Sequence, residues 1–427
     1  MRILVVGNGG REHALLHKLR QDAPDAEFFI TRGNGGTGDL ATSIPLGPRE
    51  IQSLAEWSLK EGIDLTVVGP EVPLNDGIVD HFSAKGLRIF GPTRDAAEIE
   101  CSKAFAKDLM SRYRIPTASF EVFGDAAAAT DHVRRLGAPL VVKASGLAAG
   151  KGAVVCGTEE EAIATILGMF DGSLGAAGSR VVVEEFMEGE ELSVFAVCDG
   201  EGFLTLLPAQ DHKRIGEGDT GPNTGGMGAY SPVAIATSDV LRRIEREVLG
   251  PTLQAMSTEG RPFRGFLYAG LMLTETGPRV VEFNCRFGDP EAQVVLPLLE
   301  SPLLPILMDI ASGGGIGDAD EPRWRQLAAV TTVLASGGYP GDYRTGIPIS
   351  IPEALREDDD VLVFHAGTAV RDGRLVTSGG RVLSVTGFGR DVAEAARRSR
   401  EAAEAIHFEG RTFRRDIAWR EIERTAH

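Results

Sequence analysis

Three short apolar runs near the start of the chain share one pattern. Arg2–Val6 passes into Gly7-Asn8-Gly9-Gly10, Leu65–Val68 into Gly69-Pro70-Glu71-Val72-Pro73, and Leu87–Phe90 into Gly91-Pro92-Thr93. Helical periodicity begins near Arg11 and recurs over Ile51–Glu61. Strands that end in turn residues and alternate with helices predict a parallel α/β sheet. Ligands of such sheets bind beyond the carboxyl ends of the strands, so the three glycine-bearing turns are expected to face one cleft.

The pattern changes near Cys101. A helix is expected over Lys103–Arg112, then strands Ser119–Val122, Pro139–Ala144 and Ala153–Cys156. Val181–Glu185 and Leu192–Cys198 flank Gly189, and Leu267–Thr274 and Arg279–Asn284 flank Gly277, so both pairs read as antiparallel hairpins. Gln210–Arg214 and Gly221–Gly228 form a polar, glycine-rich segment that reads as a long irregular loop. Ser312–Gly317 and the acidic stretch to Glu321 suggest a linker. Strands near Ala328–Leu334, Val361–Phe364 and Val382–Val385 follow, then a charged helix, Asp391–Ile406, with Asp391 as its N-cap. The expected class is α/β and α+β multidomain. A parallel α/β domain takes 1–100 and an α+β domain 101–295. Residues 296–326 connect these to a small C-terminal α+β domain, 327–427.

At 427 residues the chain exceeds one small core, in keeping with several domains. Its formal charge is 44 minus 61, or -17, with no long basic run, which argues against nucleic-acid binding. Anionic ligands must therefore be met by local cations and backbone N–H groups. Four scattered cysteines, Cys101, Cys156, Cys198 and Cys285, offer no CxxC pair and point to a reducing compartment. No apolar run approaches a membrane span, and the start reads as a strand rather than a signal peptide, so a soluble cytoplasmic protein is expected.

Gly7–Gly10 lacks the third glycine of a dinucleotide fingerprint, because Glu12 stands there. A single phosphate on the N–H groups of Gly9 and Gly10 with Arg11 nearby fits better; a tight strand–helix turn without ligand accounts for the residues equally well. Lys143-Ala144-Ser145-Gly146 through Gly150-Lys151-Gly152 is not a P-loop, since no hydroxyl follows the second lysine. Its N–H groups can cover phosphates that its lysines neutralise, and the plain alternative is a flexible hairpin. Val181–Met187 followed by Glu191 suits a nucleoside slot, although a charged hairpin would read the same way. Glu282-Phe283-Asn284 sets two oxygen side chains on one strand face, which suits a divalent cation that also takes phosphate oxygens and water. Arg286, Asp289 and Glu291 lie just beyond. The histidines outside Gln210–Arg214 lack ligand spacing and read as core or surface residues.

In this order the segments resemble the ATP-grasp ligases, and most closely the glycinamide ribonucleotide synthetases (phosphoribosylamine–glycine ligases). Gly7–Ala14, Gly69-Pro70-Glu71, Lys143–Gly152, Gln210–Arg214, Thr220–Ser231, Glu282–Glu291, Gly337–Tyr343 and Phe364–Thr368 carry the resemblance across nearly the whole chain. The chain departs from that family's usual Asp at Ser145. The resemblance implies a pre-ATP-grasp domain, an ATP-grasp domain with a lid at about 120–190, and a small C-terminal domain. It implies that Glu282 and Asn284 hold Mg²⁺ or Mn²⁺, and that Lys103, Lys143 and the loop residues Gly150, Lys151 and Gly152 meet the ATP phosphates. Lys213 and Asn223 are further ATP candidates, Glu185-Phe186-Met187 would sandwich the base, and Glu191 would hold the ribose. Gly9, Gly10, Arg11, Pro70 and Glu71 would take 5-phosphoribosylamine. Asp211, Gly225, Gly226, Arg286 and Asp289 are candidates for glycine and its activated form, with Arg286, Lys143 and Asp211 in catalytic roles. A monomer is expected. Another ATP-grasp enzyme of purine synthesis, carboxylating or formylating, and a non-catalytic nucleotide sensor stay open at this point.

Overall fold

Leu65–Val68 is buried at all four positions and Arg2–Val6 at its last four, as strands covered on both faces must be. The computed structural model describes residues 1–148, 152–317 and 321–425. Its first sheet is parallel, in the order Thr42–Ile44, Glu27–Thr31, Arg2–Val6, Leu65–Val68, Ile89–Phe90. The strand order reverses beside Arg2–Val6, so the Gly7 and Gly69 turns open at the switch point where such sheets bind ligands. The Gly91 turn is used differently. Its Pro92 lies against Gly265, where an added Cβ would sit 2.8 Å from Pro92 Cδ. That turn packs two sheets together instead of facing the cleft.

A second sheet, entirely antiparallel, orders Phe120–Phe123, Val181–Glu185, Leu140–Ala144 and Ala153–Cys156. Helices Ala126–Leu136 and Glu159–Phe170 cover one face around Val133, Leu140, Val142 and Ile166. Asp125 and Thr158 cap these helices, the latter in a capping box with Glu161. The third sheet orders Phe203–Thr205, Glu190–Asp199, Arg264–Thr274 and Gly277–Asn284. The hairpin expected at Gly277 forms, with Thr274 opposite Gly277 and Gly270 opposite Glu282.

The hairpin expected at Gly189 does not form. Val181–Glu185 belongs to the second sheet and Glu190–Asp199 to the third. Gly189, at φ +155°, marks the passage between them, and a Cβ there would lie 2.3 Å from the Leu273 carbonyl oxygen. A glycine between two β runs signals a bend, but periodicity alone does not say whether the second run returns to its neighbour. The segment 210–228 also differs from an irregular loop. Gln210–Asp211 and Gly228–Ser231 pair with each other, while Arg214–Gly216 and Thr220–Asn223 make a short hairpin between them.

Those first two strands open a five-stranded sheet, completed by Ala328–Ala335, Arg381–Gly389 and Val361–His365. Helix Val392–Ala405 packs on it, and Asp391 Oδ1 accepts the Glu394 N–H at 2.8 Å as the expected N-cap. Among the described residues no helix is long and apolar enough to cross a membrane.

Candidate active site

Glu282 and Asn284 lie on the last turn of pleat in Gly277–Asn284, opposite Gly270 and Tyr268, so their side chains share a face. Asn284 Nδ2 donates to the Phe283 carbonyl at 2.8 Å, and its Oδ1 has no hydrogen-bond donor among the described residues. Burial would raise the Glu282 carboxyl, but Lys103, Lys213 and Lys143 outweigh it and hold the group below its ordinary range. One acid facing three lysines, beside an amide oxygen, fits a divalent cation shared with phosphate oxygens. Lys103 arrives on helix Lys103–Arg112, whose start is fixed from two sides. Ser102 Oγ accepts the Phe105 N–H at 3.2 Å, and Ser145 accepts from Lys103 N through its carbonyl (2.8 Å) and from Ala104 N through Oγ (3.1 Å). The hydroxyl at Ser145 thus serves as a second acceptor at this helix start.

Lys143 Nζ donates to Glu184 Oε2 at 3.0 Å and to the Val281 carbonyl at 2.9 Å. The same Glu184 oxygen takes Lys107 Nζ at 2.9 Å, and Lys107 also donates to Thr117 Oγ1 at 2.8 Å. Burial lowers Lys107 to about 8 against the pull of Glu184. Glu184 Oε1 is buried and has no hydrogen-bond partner among the described residues. Neither Lys107 nor Glu184 is among the residues expected from sequence. Lys107 lies one turn beyond Lys103 on the same face, and Glu184 follows directly on the apolar run Val181–Val183; both are usable signals.

The residues expected to form the base slot take up different surroundings. Met187 is buried and Phe186 is 39% exposed. The Glu185 side chain faces away, accepting from Ser119 N at 3.0 Å and pairing with Arg279. Glu191 pairs with Lys213, and its carbonyl accepts from Gln210 Nε2 at 2.6 Å. Burial opposes the Lys213 charge, yet Glu191 and Asp211 hold its ammonium well above the usual range. Asn223 and Gly225 line a cavity of about 660 Å³ with Val154, Ile215, Tyr339 and Pro340. Gly152 closes the hairpin start, its carbonyl accepting Ala144 N–H at 2.7 Å. Gly150 and Lys151 lie outside the described residues.

Asp211 is pushed up to about 7 by burial, opposed by Lys213 and assisted by Glu291 and Glu191. Burial likewise raises Glu291, whose Oε1 lies 3.4 Å from Ser193 Oγ. Arg286 pairs with Glu100 at 3.2 Å and Glu71 at 3.4 Å. Pro70 caps the short helix Glu71–Asn75 that presents Glu71. Asp289 accepts from Gln293 Nε2 at 2.8 Å and pairs with Arg381 at 3.2 Å. Arg381 also donates to the carbonyls of Gly225 (2.5 Å) and Asp289 (2.7 Å). Nothing near Arg381 in the sequence announces it. Gly226, at φ +106°, lies where a Cβ would meet Pro290 Cδ at 2.5 Å. Arg381 therefore fastens a tight glycine turn to Asp289.

The N-terminal phosphate turn differs from expectation. Gly9 N–H donates to Glu12 Oε2 at 2.6 Å, and Arg11 Nε to Glu12 Oε1 at 2.6 Å. Glu12 is 3% exposed and fills the space that Gly7 and Gly69 leave open; a Cβ on Gly69 would lie 2.1 Å from Glu12 Oε1. The Gly9 N–H and Arg11 Nε–H are thus met by the carboxylate of Glu12, while Arg11 Nη1 donates to the Phe287 carbonyl at 3.3 Å. Gly10 opens the helix Gly10–Asp22 beside Gln293 and Ser384. His13 is a core residue, as expected. Its Nδ1 accepts the His365 N–H at 3.0 Å, and burial, with His365 and His17, lowers it to about 3.

Known proteins resemble this chain over nearly its whole length. The family model for the phosphoribosylglycinamide synthetase N domain matches residues 1–100, that for its ATP-grasp (A) domain 101–292, and that for its C domain 329–420. Phosphoribosylamine--glycine ligase of Agrobacterium fabrum is 49% identical over 425 residues, covering 99% of both chains. The enzyme of that name from Escherichia coli K12 is 47% identical over 430 residues, with 99% of each covered. A crystal structure of Phosphoribosylamine--glycine ligase from Thermotoga maritima superposes with TM-score 0.83 at 37% identity, over 97% of this chain and 100% of that one. A biotin carboxylase structure from Campylobacter jejuni, at 12% identity and TM-score 0.72 over 96% and 92% of the two chains, shares the fold. With three consecutive family models and full-length relatives, the chain belongs to the phosphoribosylglycinamide synthetase family.

Proposed function

We infer that the chain is an ATP-dependent carbon–nitrogen ligase of de novo purine synthesis. It joins glycine to 5-phosphoribosylamine through glycyl phosphate, giving glycinamide ribonucleotide, ADP and phosphate. The observation that carries this reading is the gathering of Lys103, Lys143 and Lys213 around Glu282, next to a free Asn284 oxygen. A carboxylate is a poor acylating agent, so the site must neutralise a γ-phosphate while that same carboxylate attacks it. The family-level requirement is ATP with a divalent metal. Glu282 and Asn284 would hold it as Mg²⁺ or Mn²⁺, and bound there it would neutralise phosphate charge.

Lys103, Lys143 and Lys213 bind and orient the phosphates. Met187 and Phe186 enclose the base and Glu191 takes the ribose, exchanging its Lys213 partner for hydroxyls. Asp211, in its ionised form, accepts the glycine ammonium, and Arg286 faces the glycine carboxylate. The carboxylate oxygen bonds to the γ-phosphorus as the bond to ADP breaks. The amine of phosphoribosylamine then attacks the acyl carbon, phosphate leaves with the bonding pair, and the amine proton passes to solvent. The phosphoribosyl part lies at the Gly7 and Gly69 turns near Gly10, Pro70 and Glu71. Ligand entry would need Glu12 to release Gly9 and Arg11. Asn223, Gly225, Gly226 and Asp289 close the site, and the loop through Gly150 and Lys151 covers the phosphates. The protein acts as a cytoplasmic monomer without nucleic-acid or membrane partners.

A coupled assay of ADP release tests this reading. ADP should appear only with glycine and phosphoribosylamine together, and not when formate or bicarbonate replaces glycine. Release with formate or bicarbonate would reassign the substrate, and no turnover with all three substrates would point to a sensor.

A further inference from the structure

Lys213 and Asn223 stand at the base of the hairpin Arg214–Gly216/Thr220–Asn223, where Arg214 faces Asn223. Thr224 holds the two ends together, both its N–H and Oγ1 donating to the Lys213 carbonyl at 2.8 Å. The hairpin has strands of only three and four residues, largely outside the core and irregular in register. A two-stranded ribbon of that size does not hold its own position.

Its position comes from the far end of the chain. Arg414 has no exposed side-chain surface. Nη1 donates to the Arg214 carbonyl at 3.1 Å and to Asp219 Oδ1 at 2.8 Å, while Nε and Nη2 form a fork on Asp416 at 2.8 and 2.7 Å. One guanidinium thus grips the base and the turn of the hairpin together. Asp416 Oδ2 also accepts Gly218 N–H at 2.8 Å, Glu217 Oε1 accepts Arg415 N–H at 3.1 Å, and Arg420 pairs with Asp219. His212, just before Lys213, accepts the Ala418 N–H on Nε2 at 2.9 Å, which leaves its Nδ1 facing Asp219 Oδ1 at 3.7 Å. Asp219 sits at φ +56°, so the turn is held in a conformation that these contacts must maintain.

We propose that Arg414 is a positioning residue for the nucleotide: from the C-terminal segment it sets the hairpin, and through it Lys213 and Asn223, at the ATP phosphates. Arg414 touches no substrate and acts only through the hairpin. Lysine supplies one point charge and cannot span Arg214, Asp219 and Asp416 at once, so Arg414→Lys restores part of the function. The proposal rests on the ATP-ligase reading, and the wild-type assay with all three substrates tests that reading separately.

The experiment compares wild type with Arg414→Met, Arg414→Lys, Asp219→Asn and Asp416→Asn, measuring kcat and KM for ATP and for glycine, melting temperature, and hydrogen exchange of peptides spanning 213–224. Asn tolerates the left-handed backbone at 219, so Asp219→Asn tests the contact without forcing a new turn. The expected result is about a tenfold rise in KM for ATP in Arg414→Met, a smaller rise in Arg414→Lys and Asp219→Asn, and less than a threefold change in glycine KM. Exchange over 213–224 should quicken without nucleotide and recover at saturating ATP. Folded variants whose KM for ATP matches wild type overturn the proposal, as does a lowered melting temperature with no kinetic split. If Arg414→Met does not fold, the two Asp→Asn variants decide by the same criteria.

Discussion

Replacing Arg381 by Met removes a guanidinium that spans three acceptors. Its side chain is 21% exposed and that of Asp289 is 16%, so solvent replaces the lost contacts poorly. Two donations to carbonyls and one charge pair disappear together. Truncating one member of a buried charge pair costs about 3–5 kcal/mol. Here Gln293 still serves Asp289, and Arg11 and Arg286 still act on its charge, which brings the expectation to about 2 kcal/mol. Expressed as lost support for bound glycine, about 2 kcal/mol is roughly a 30-fold fall in kcat/KM for glycine. Arg381→Lys should fall between, since one ammonium cannot serve both carbonyls and the carboxylate. The assay is steady-state ADP release against glycine at saturating ATP and amine, with Asp289→Asn and the double variant closing a cycle. Coupling near zero, or kcat/KM for glycine within threefold of wild type in Arg381→Met, would falsify the reasoning.

Glu282→Gln keeps shape but removes the charge facing Lys103, Lys213 and Lys143. Turnover should fall about 10²–10³-fold, most severely at limiting divalent metal; wild-type rates under that condition would remove Glu282 from the metal site. Asp211, raised to about 7, is neutral below that pH, so glycine KM should climb toward tenfold per unit as pH falls under about 7. Asp211→Asn should lose that slope, and a slope retained in the variant assigns it to another group. The same raised pKa means that Asp211 supports the ligand-free fold below its unfolded value and loses that contribution as pH rises through about 7. Thermal melts at pH 8 should therefore show Asp211→Asn at or above wild type. Gly69→Ala forces a Cβ to within 2.1 Å of Glu12 Oε1; a loss of about 1–3 kcal/mol in denaturant melts is expected, and unchanged stability would mean that Glu12 moves freely.

Local features were readable where one segment decides its own geometry. Glu282 and Asn284 needed only the alternation of a strand, and Asp391 only its place before a helix, whereas Lys103 became a candidate only through the family resemblance. Distant pairings were not readable. Val181–Glu185 and Glu190–Asp199 are neighbours in sequence but join different sheets, because their partners lie at Leu140–Ala144 and Arg264–Thr274. Arg381 reaches the site, and Arg414 the hairpin beside it, from strands and turns that carry no local mark of chemistry. Glu12 misled in another way. It argued against a dinucleotide fingerprint by standing at a glycine position, but sequence did not show that Gly7 and Gly69 make room for it, or that it takes donors a phosphate was expected to use.

The five-stranded sheet that contains Gln210–Asp211 and Gly228–Ser231 cannot close until Ala328–Ala335 and Arg381–Gly389 are available. Asp211 pairs with Ala229, but the strand behind Gly228–Ser231 comes only with Ala328–Ala335. A chain that ended at Asn284 would carry Lys103, Lys143 and Lys213 but lack three of the five strands of the sheet that holds Asp211. A nick between residues 232 and 327 should leave two fragments that regain activity only when mixed, each bringing strands the other lacks.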